Sequence, residues 1–180
     1  MSSTSLVANF RDVGESVNRI ADREVMKVGV LYRGGDLRLI DRVDQIHTPQ
    51  TIINLQSDAD IEYPGAMVCH FPAPSSMEIY EVEKPATQAW IAKILGLLAS
   101  ESIELPVMIH CAAGKDRTGV LIAALLGCMG VDYEIVRKEY ELSAGNLQGL
   151  RFDDTLAALA DHSYFKNVEC EAIAKRFLVG

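Results

Sequence analysis

The segment His110-Cys111-Ala112-Ala113-Gly114-Lys115-Asp116-Arg117-Thr118-Gly119 places a thiol, five residues and then a guanidinium. That order suits chemistry on a tetrahedral oxyanion. A planar guanidinium fork grips two oxygens at once. The small residues Ala112, Ala113 and Gly114 let the chain curl, so that its amide N–H groups converge on one point. The start of a following helix adds its dipole there. Cys111 would lie on the floor of the cup, where positive potential favours the attacking thiolate. Such a cup is suited to attack on phosphorus. The plainer alternative is a buried structural cysteine beside a salt-bridged arginine. The flanking Gly114, Thr118 and Gly119, and the apolar run before His110, argue against it.

Two look-alikes fail on context. Cys170 and Arg176 repeat the spacing, but the residues between them read as helix and contain no glycine. On a helix the two groups would not face a common anion. Gly114-Lys115 resembles the end of a nucleotide-binding loop, which needs a glycine where Ile109 stands and Ser or Thr where Asp116 stands.

The surrounding pattern supplies elements to hold such a loop. Residues 25–32, 51–55 and 67–71 read as strands, the last stopped by Pro72 and Pro74. Pro85 fits the first turn of a helix over 85–100, with Trp90, Ile94, Leu97 and Leu98 on one side. Residues 106–110 are apolar on both faces, as in a parallel sheet. A helix over 118–129 follows the loop, and Asp132 can cap another over 133–143. Further helices are expected over 150–162 and 168–178. The alternation predicts an α/β fold: a small, largely parallel central sheet flanked by helices, in a single domain over 1–180.

Bulk properties narrow the function. Lys and Arg number 17 against 25 Asp and Glu, a net charge of -8, which excludes a basic nucleic-acid footprint. The longest apolar run, 120–126, is too short to span a bilayer, so no stable membrane insertion is expected. Residues 1–5 show no secretory pattern. The four cysteines form no C-x-x-C pair and no zinc-ligand spacing with the histidines. A cytoplasmic protein with reduced thiols and no metal site is the simplest expectation; oligomeric state is left open.

His-Cys-x-x-Gly-Lys-x-Arg-Thr-Gly resembles the signature of the protein-tyrosine-phosphatase superfamily, including dual-specificity and lipid phosphatases. Asn9-Phe10-Arg11-Asp12-Val13-Gly14 is similar to the N-terminal signature of the bacterial-type tyrosine/serine phosphatases. Leu31-Tyr32-Arg33-Gly34-Gly35-Asp36-Leu37 and Tyr140-Glu141-Leu142-Ser143 resemble their later landmarks. Two departures stand out: Asn54-Leu55-Gln56 replaces the usual Asp-Leu-Arg, and residues 71–85 leave little material for a lid.

The resemblance implies a phosphocysteine intermediate on Cys111, with Arg117 and the amides of Ala112, Ala113, Gly114 and Lys115 binding phosphate. Thr118 would hydrogen-bond the departing thiolate, and no cofactor is required. The acid would be Asp116, since no Asp lies between Asp60 and Asp116, with Glu78, Glu81 and Glu83 the upstream alternatives. Lys115 would serve a second phosphate or lie solvated at the rim. His110 would brace the loop, Cys69 would be an ordinary buried thiol or pair with Cys111, and Arg11 with Asp12 would brace the loop or pair at the surface. The expected substrates are phosphotyrosine proteins, then phosphoserine/threonine proteins. A phosphoinositide phosphatase, a weakly catalytic phosphate-binding module and an arsenate reductase with resolving cysteines are the alternatives.

Overall fold

The structure, a computed structural model, describes residues 6–74, 76–161 and 163–180. The N-terminal segment 1–5 and the expected helix end at His162 lie outside the described residues. Five strands form one sheet in the order β1-β2-β5-β3-β4. They are β1 (Arg11–Asp12), β2 (Leu31–Gly34), β3 (Thr51–Asn54), β4 (Met67–His70) and β5 (Val107–His110). All pairings are parallel except the β1–β2 edge. The helices are α1 (Val13–Ala21), α2 (Pro85–Ala99), α3 (Asp116–Cys128), α4 (Tyr133–Glu141), α5 (Gly149–Leu159) and α6 (Cys170–Phe177).

The sheet alternates between two cores because successive strand side chains point to opposite faces. Leu31, Ile53, Val107 and Ile109 pack into the larger core with residues from all six helices. Tyr32, Ile52 and Met108 pack on the opposite face against Val7, Leu37, Ile40, Ile46 and Tyr63. No α-helix covers that second face among the described residues; irregular chain and a short 3-10 turn, Val43–Ile46, do so instead.

Helix α3 is buried nearly all round, from Thr118 to Leu126, which explains its lack of charge after Arg117. It begins at Asp116, two residues before the expected start. The strand expected over 25–32 is shorter than its pattern because Gly29 has φ +79°, outside the extended region. Helix α1 follows directly on β1 and was hidden inside the N-terminal motif. Asp12 caps it by accepting the Glu15 N–H at 3.1 Å and also accepts the Gly29 N–H at 2.5 Å.

The expectation of four reduced thiols is corrected. Cys128, at the end of α3, is bonded to Cys170, the first residue of α6, across 42 residues of sequence. Spacing could not reveal this pair, because packing of two helices distant in sequence brings them together.

Candidate active site

Three parallel strands deliver the site at their carboxyl ends. Gly34, His110 and Asn54 lie side by side across the sheet, so the segments that follow them meet at one edge. Cys111 follows β5 directly and is only 3% exposed; its N–H donates to the Gly34 carbonyl at 3.4 Å. Ala112 and Ala113 are exposed at the mouth and Gly114 is buried. Gly114 has φ +65°, and a Cβ there would lie 2.3 Å from the Gly34 carbonyl carbon. Only glycine fits that position.

The loop is clamped from outside, carbonyl by carbonyl. The Ala112 carbonyl accepts the Asp36 N–H at 3.0 Å. The Ala113 carbonyl accepts Asn9 Nδ2–H at 2.8 Å, and the Gly114 carbonyl accepts Arg33 Nη2–H at 3.0 Å. In a planar trans peptide the next N–H points the opposite way. The N–H groups of Ala113, Gly114 and Lys115 therefore face away from the clamp, toward the hollow of the loop.

The clamping groups are themselves held. Asn9 Oδ1 accepts the Ala144 N–H at 2.7 Å. Fully buried Arg33 donates through Nη1 to Glu139 Oε2 at 2.5 Å. Glu139 Oε1 accepts Arg11 Nε–H at 2.8 Å, and Arg11 Nη2 donates to the Glu139 carbonyl and to Ser143 Oγ. Burial lowers Arg33 to about 10, with Glu139 as the main opposing influence, so it remains a cation at neutral pH. Arg11 thus reaches the loop through Glu139 and Arg33. Asp12 does not brace the loop; it caps α1.

The remaining residues surround this cradle. His110 Nε2 meets Asp60 Oδ2 at 2.7 Å, which ties the start of the loop to the segment after β3. Arg117 Nη1 donates to the Leu55 carbonyl at 3.0 Å. Arg117 and Asp116 border a hollow of about 240 Å³ together with Ser57, Ala73, Met77 and Ile79. Thr118 Oγ1 is buried on the first turn of α3 and has no hydrogen-bond partner. Gly119 is required by packing: a Cβ there would lie 2.7 Å from the Tyr140 ring and 3.5 Å from Arg33 Nη2.

Asp116 stands at the head of α3, where Tyr80 donates its hydroxyl to Oδ1 and Lys115 Nζ lies 3.5 Å from Oδ2. Tyr140 donates in turn to the Tyr80 oxygen at 2.8 Å. Burial, reinforced by the bonds to Asp116 and Tyr140, pushes the Tyr80 phenol far above its ordinary value, so it is a neutral donor. Lys115 Nζ donates to the Asn146 carbonyl at 2.7 Å, and its side chain is 16% exposed. Its ammonium is thus engaged at a partly exposed position on the rim.

The structure brings Cys111, Ala112, Ala113, Gly114, Lys115, Asp116, Arg117 and Thr118 into one loop and helix start. Of the upstream carboxylates, Glu78 pairs with Arg151 and Glu81 with Lys84. Cys69 pairs with Ile53, which pairs with Ile109 on its other side. Cys69 thus lies two strand spacings, about 10 Å, from β5, the strand that Cys111 follows. Both Cys69 and Cys111 are free thiols. Sequence reasoning missed Tyr80, Asp60 and Glu139, and gave no role to Asn9 or Arg33. The last two lie inside motifs already singled out, which was the available signal.

The sequence and the fold also resemble those of known proteins. Residues 3–175 match a tyrosine phosphatase family. A stretch of 64 residues is 36% identical to the triple specificity protein phosphatase PtpB of Mycobacterium tuberculosis, covering 36% of this chain and 22% of that protein. The matched stretch is thus less than a quarter of the relative's length. The core catalytic domain of the PP-IP phosphatase SIW14 from S. cerevisiae, in complex with citrate, superimposes with a TM-score of 0.54 at 17% identity, over 79% of this chain and 89% of that one. TpbA of P. aeruginosa in complex with pTyr gives 0.53 at 18% identity, over 97% of each chain. The two structures share the fold of this chain.

Proposed function

The chain belongs to the tyrosine phosphatase family, and from that premise we propose that it hydrolyses phosphomonoesters through a phosphocysteine intermediate on Cys111, without a metal. The clamped loop carries this reading: its carbonyls are tied outward, its N–H groups turn inward, and a buried thiol lies at its start. Fixed donors of this kind stabilise charge on the transferring phosphoryl group without reorganising.

In the first step the Sγ–P bond forms as the bond from phosphorus to the leaving oxygen breaks, and Asp116 gives that oxygen its proton. Arg117 and the amides of Ala113, Gly114 and Lys115 hold the equatorial oxygens. In the second step a water oxygen attacks phosphorus, Asp116 takes the water's proton, and the Sγ–P bond breaks to return the thiolate. Thr118 Oγ1, buried and unpartnered, is the donor available to that sulfur. Asp116 is preferred as the acid because it shares the hollow with Arg117, whereas Glu78 is engaged by Arg151.

Phosphotyrosine proteins are the first substrate class, with phosphoserine and phosphothreonine next; the likeness to TpbA in complex with pTyr supports this order. Inositol phosphates are the second reading, favoured by the half-buried Lys115 at the site and by the likeness to a PP-IP phosphatase. Among the described residues no helix is long and apolar enough to cross a membrane. The bridge between Cys128 and Cys170 favours an oxidising compartment over the cytoplasmic one; mass mapping of these thiols after rapid alkylation in cells decides between them.

The protein should hydrolyse p-nitrophenyl phosphate in excess EDTA and be inhibited by vanadate. Cys111→Ser should fold and lose turnover. Undiminished activity in that variant would refute the nucleophile. A wild-type protein that binds phosphopeptide but turns over no substrate would be a phosphate-binding module instead.

A further inference from the structure

Behind the catalytic loop lies a buried cluster that does not balance its own charge. The side chains of Arg33 and Glu139 are 0% and 1% exposed, and that of Arg11 is 14% exposed. Two guanidinium groups share one carboxylate, leaving one positive charge uncompensated. Buried charge without a partner is costly, so a third, anionic partner is expected nearby. Arg33 is the member that touches the loop, through the Gly114 carbonyl, and the next residue along β2, Gly34, accepts the Cys111 N–H at 3.4 Å. Its Nε is buried and bonded to nothing.

We infer that Arg33 is a positioning residue for phosphoryl transfer: it turns the Gly114 carbonyl away from the anion and places behind Cys111 a buried positive charge that Glu139 limits. This deepens the phosphatase reading of the same site and rests on it. Arg117 grips the substrate from in front, and Arg33 acts from behind without touching it. The other charged or titratable groups around the cluster are Arg11 of β1, Tyr140 of α4, Tyr80 before α2, and Lys115, Asp116 and Arg117 at the head of α3. His110 and Asp60 face the loop from the end of β5. Substituting Arg33 or Glu139 changes the cluster's charge in opposite senses and leaves these groups in place.

The test uses full-length Arg33→Met, Arg33→Lys and Glu139→Gln. The rate of Cys111 alkylation by iodoacetamide is followed against pH, with Cys69 separated by peptide mass mapping. Alkylation reads the thiolate without turnover, so a chain that proved inactive as a phosphatase would still report on the cluster. Arg33→Met should raise the alkylation midpoint by about one pH unit, and Glu139→Gln should lower it. Arg33→Lys keeps the charge but cannot span both Glu139 and Gly114. It should hold the midpoint near that of wild type while kcat on p-nitrophenyl phosphate falls and KM changes less. A purely structural role would instead move the Met and Gln variants in the same direction, or move neither, and would overturn the inference. Should Arg33→Met fail to fold, a Glu139→Gln midpoint that stays put or rises overturns it equally.

Discussion

Asp116 is oriented from two sides, by the Tyr80 hydroxyl at Oδ1 and the Lys115 ammonium at Oδ2. In the acid role proposed for it, its proton matters most when the leaving group is a poor one. Asp116→Asn should therefore lower kcat by about 10²–10⁴-fold on alkyl phosphates, and far less on p-nitrophenyl phosphate. Equal losses on both would indicate damage to the loop. Tyr80→Phe, which removes the orienting hydroxyl, should show a smaller loss with the same selectivity. Steady-state kinetics on the two substrates read both variants. At this scale the sequence was informative where contacts are local. The order of Cys111, Asp116, Arg117 and Thr118 sets the proposed nucleophile, acid and clamp within one loop and one turn. Tyr80 was invisible because it lies 36 residues from Asp116, and only tertiary packing, in which Thr155 of α5 donates to the Tyr80 carbonyl, brings it there.

Each strand delivering the site is four residues long, so the elements must be placed by what packs on them. Helix α3 carries the loop, and it meets α4 through Gly119 and the Tyr140 ring. Gly119→Ala would force that ring aside and disturb its bond to Tyr80. The variant should lose about 1–3 kcal/mol of stability and part of its activity, read by urea unfolding and initial rates. Wild-type stability would mean that α4 shifts freely. The long elements were legible from periodicity and punctuation: Pro85 opens α2 and Asp132 caps α4, accepting the Glu134 N–H at 2.8 Å. Three short strands, β3, β4 and β5, were legible from their apolar runs as well; β1 was not, because it has two residues and no period can be read from two. Gly29 broke the strand expected over 25–32 by a backbone angle that the alternation of side chains does not reveal.

Across the whole molecule, the Cys128–Cys170 bridge ties the far end of α3 to α6. Closing a loop of 42 residues constrains the unfolded chain by about 4 kcal/mol in the chain-entropy account. Cys128→Ala with Cys170→Ala should lower the Tm and the unfolding free energy by an amount of that order, and reductant should do the same to wild type. A double variant as stable as the parent would show that the helices hold without the bond. The general architecture was readable from the alternation of strands and helices, but the pairings between distant segments were not, and the active site depends on those. Asn9 holds the Ala113 carbonyl across 104 residues and the Ala144 N–H across 135. A ribosome releasing this chain would emit the entire Cys-to-Arg signature well before residues 139 and 144, and until they arrive Arg33 lacks its carboxylate and Asn9 one of its two bonds. The nascent polypeptide would thus display a recognisable motif before its full clamp exists.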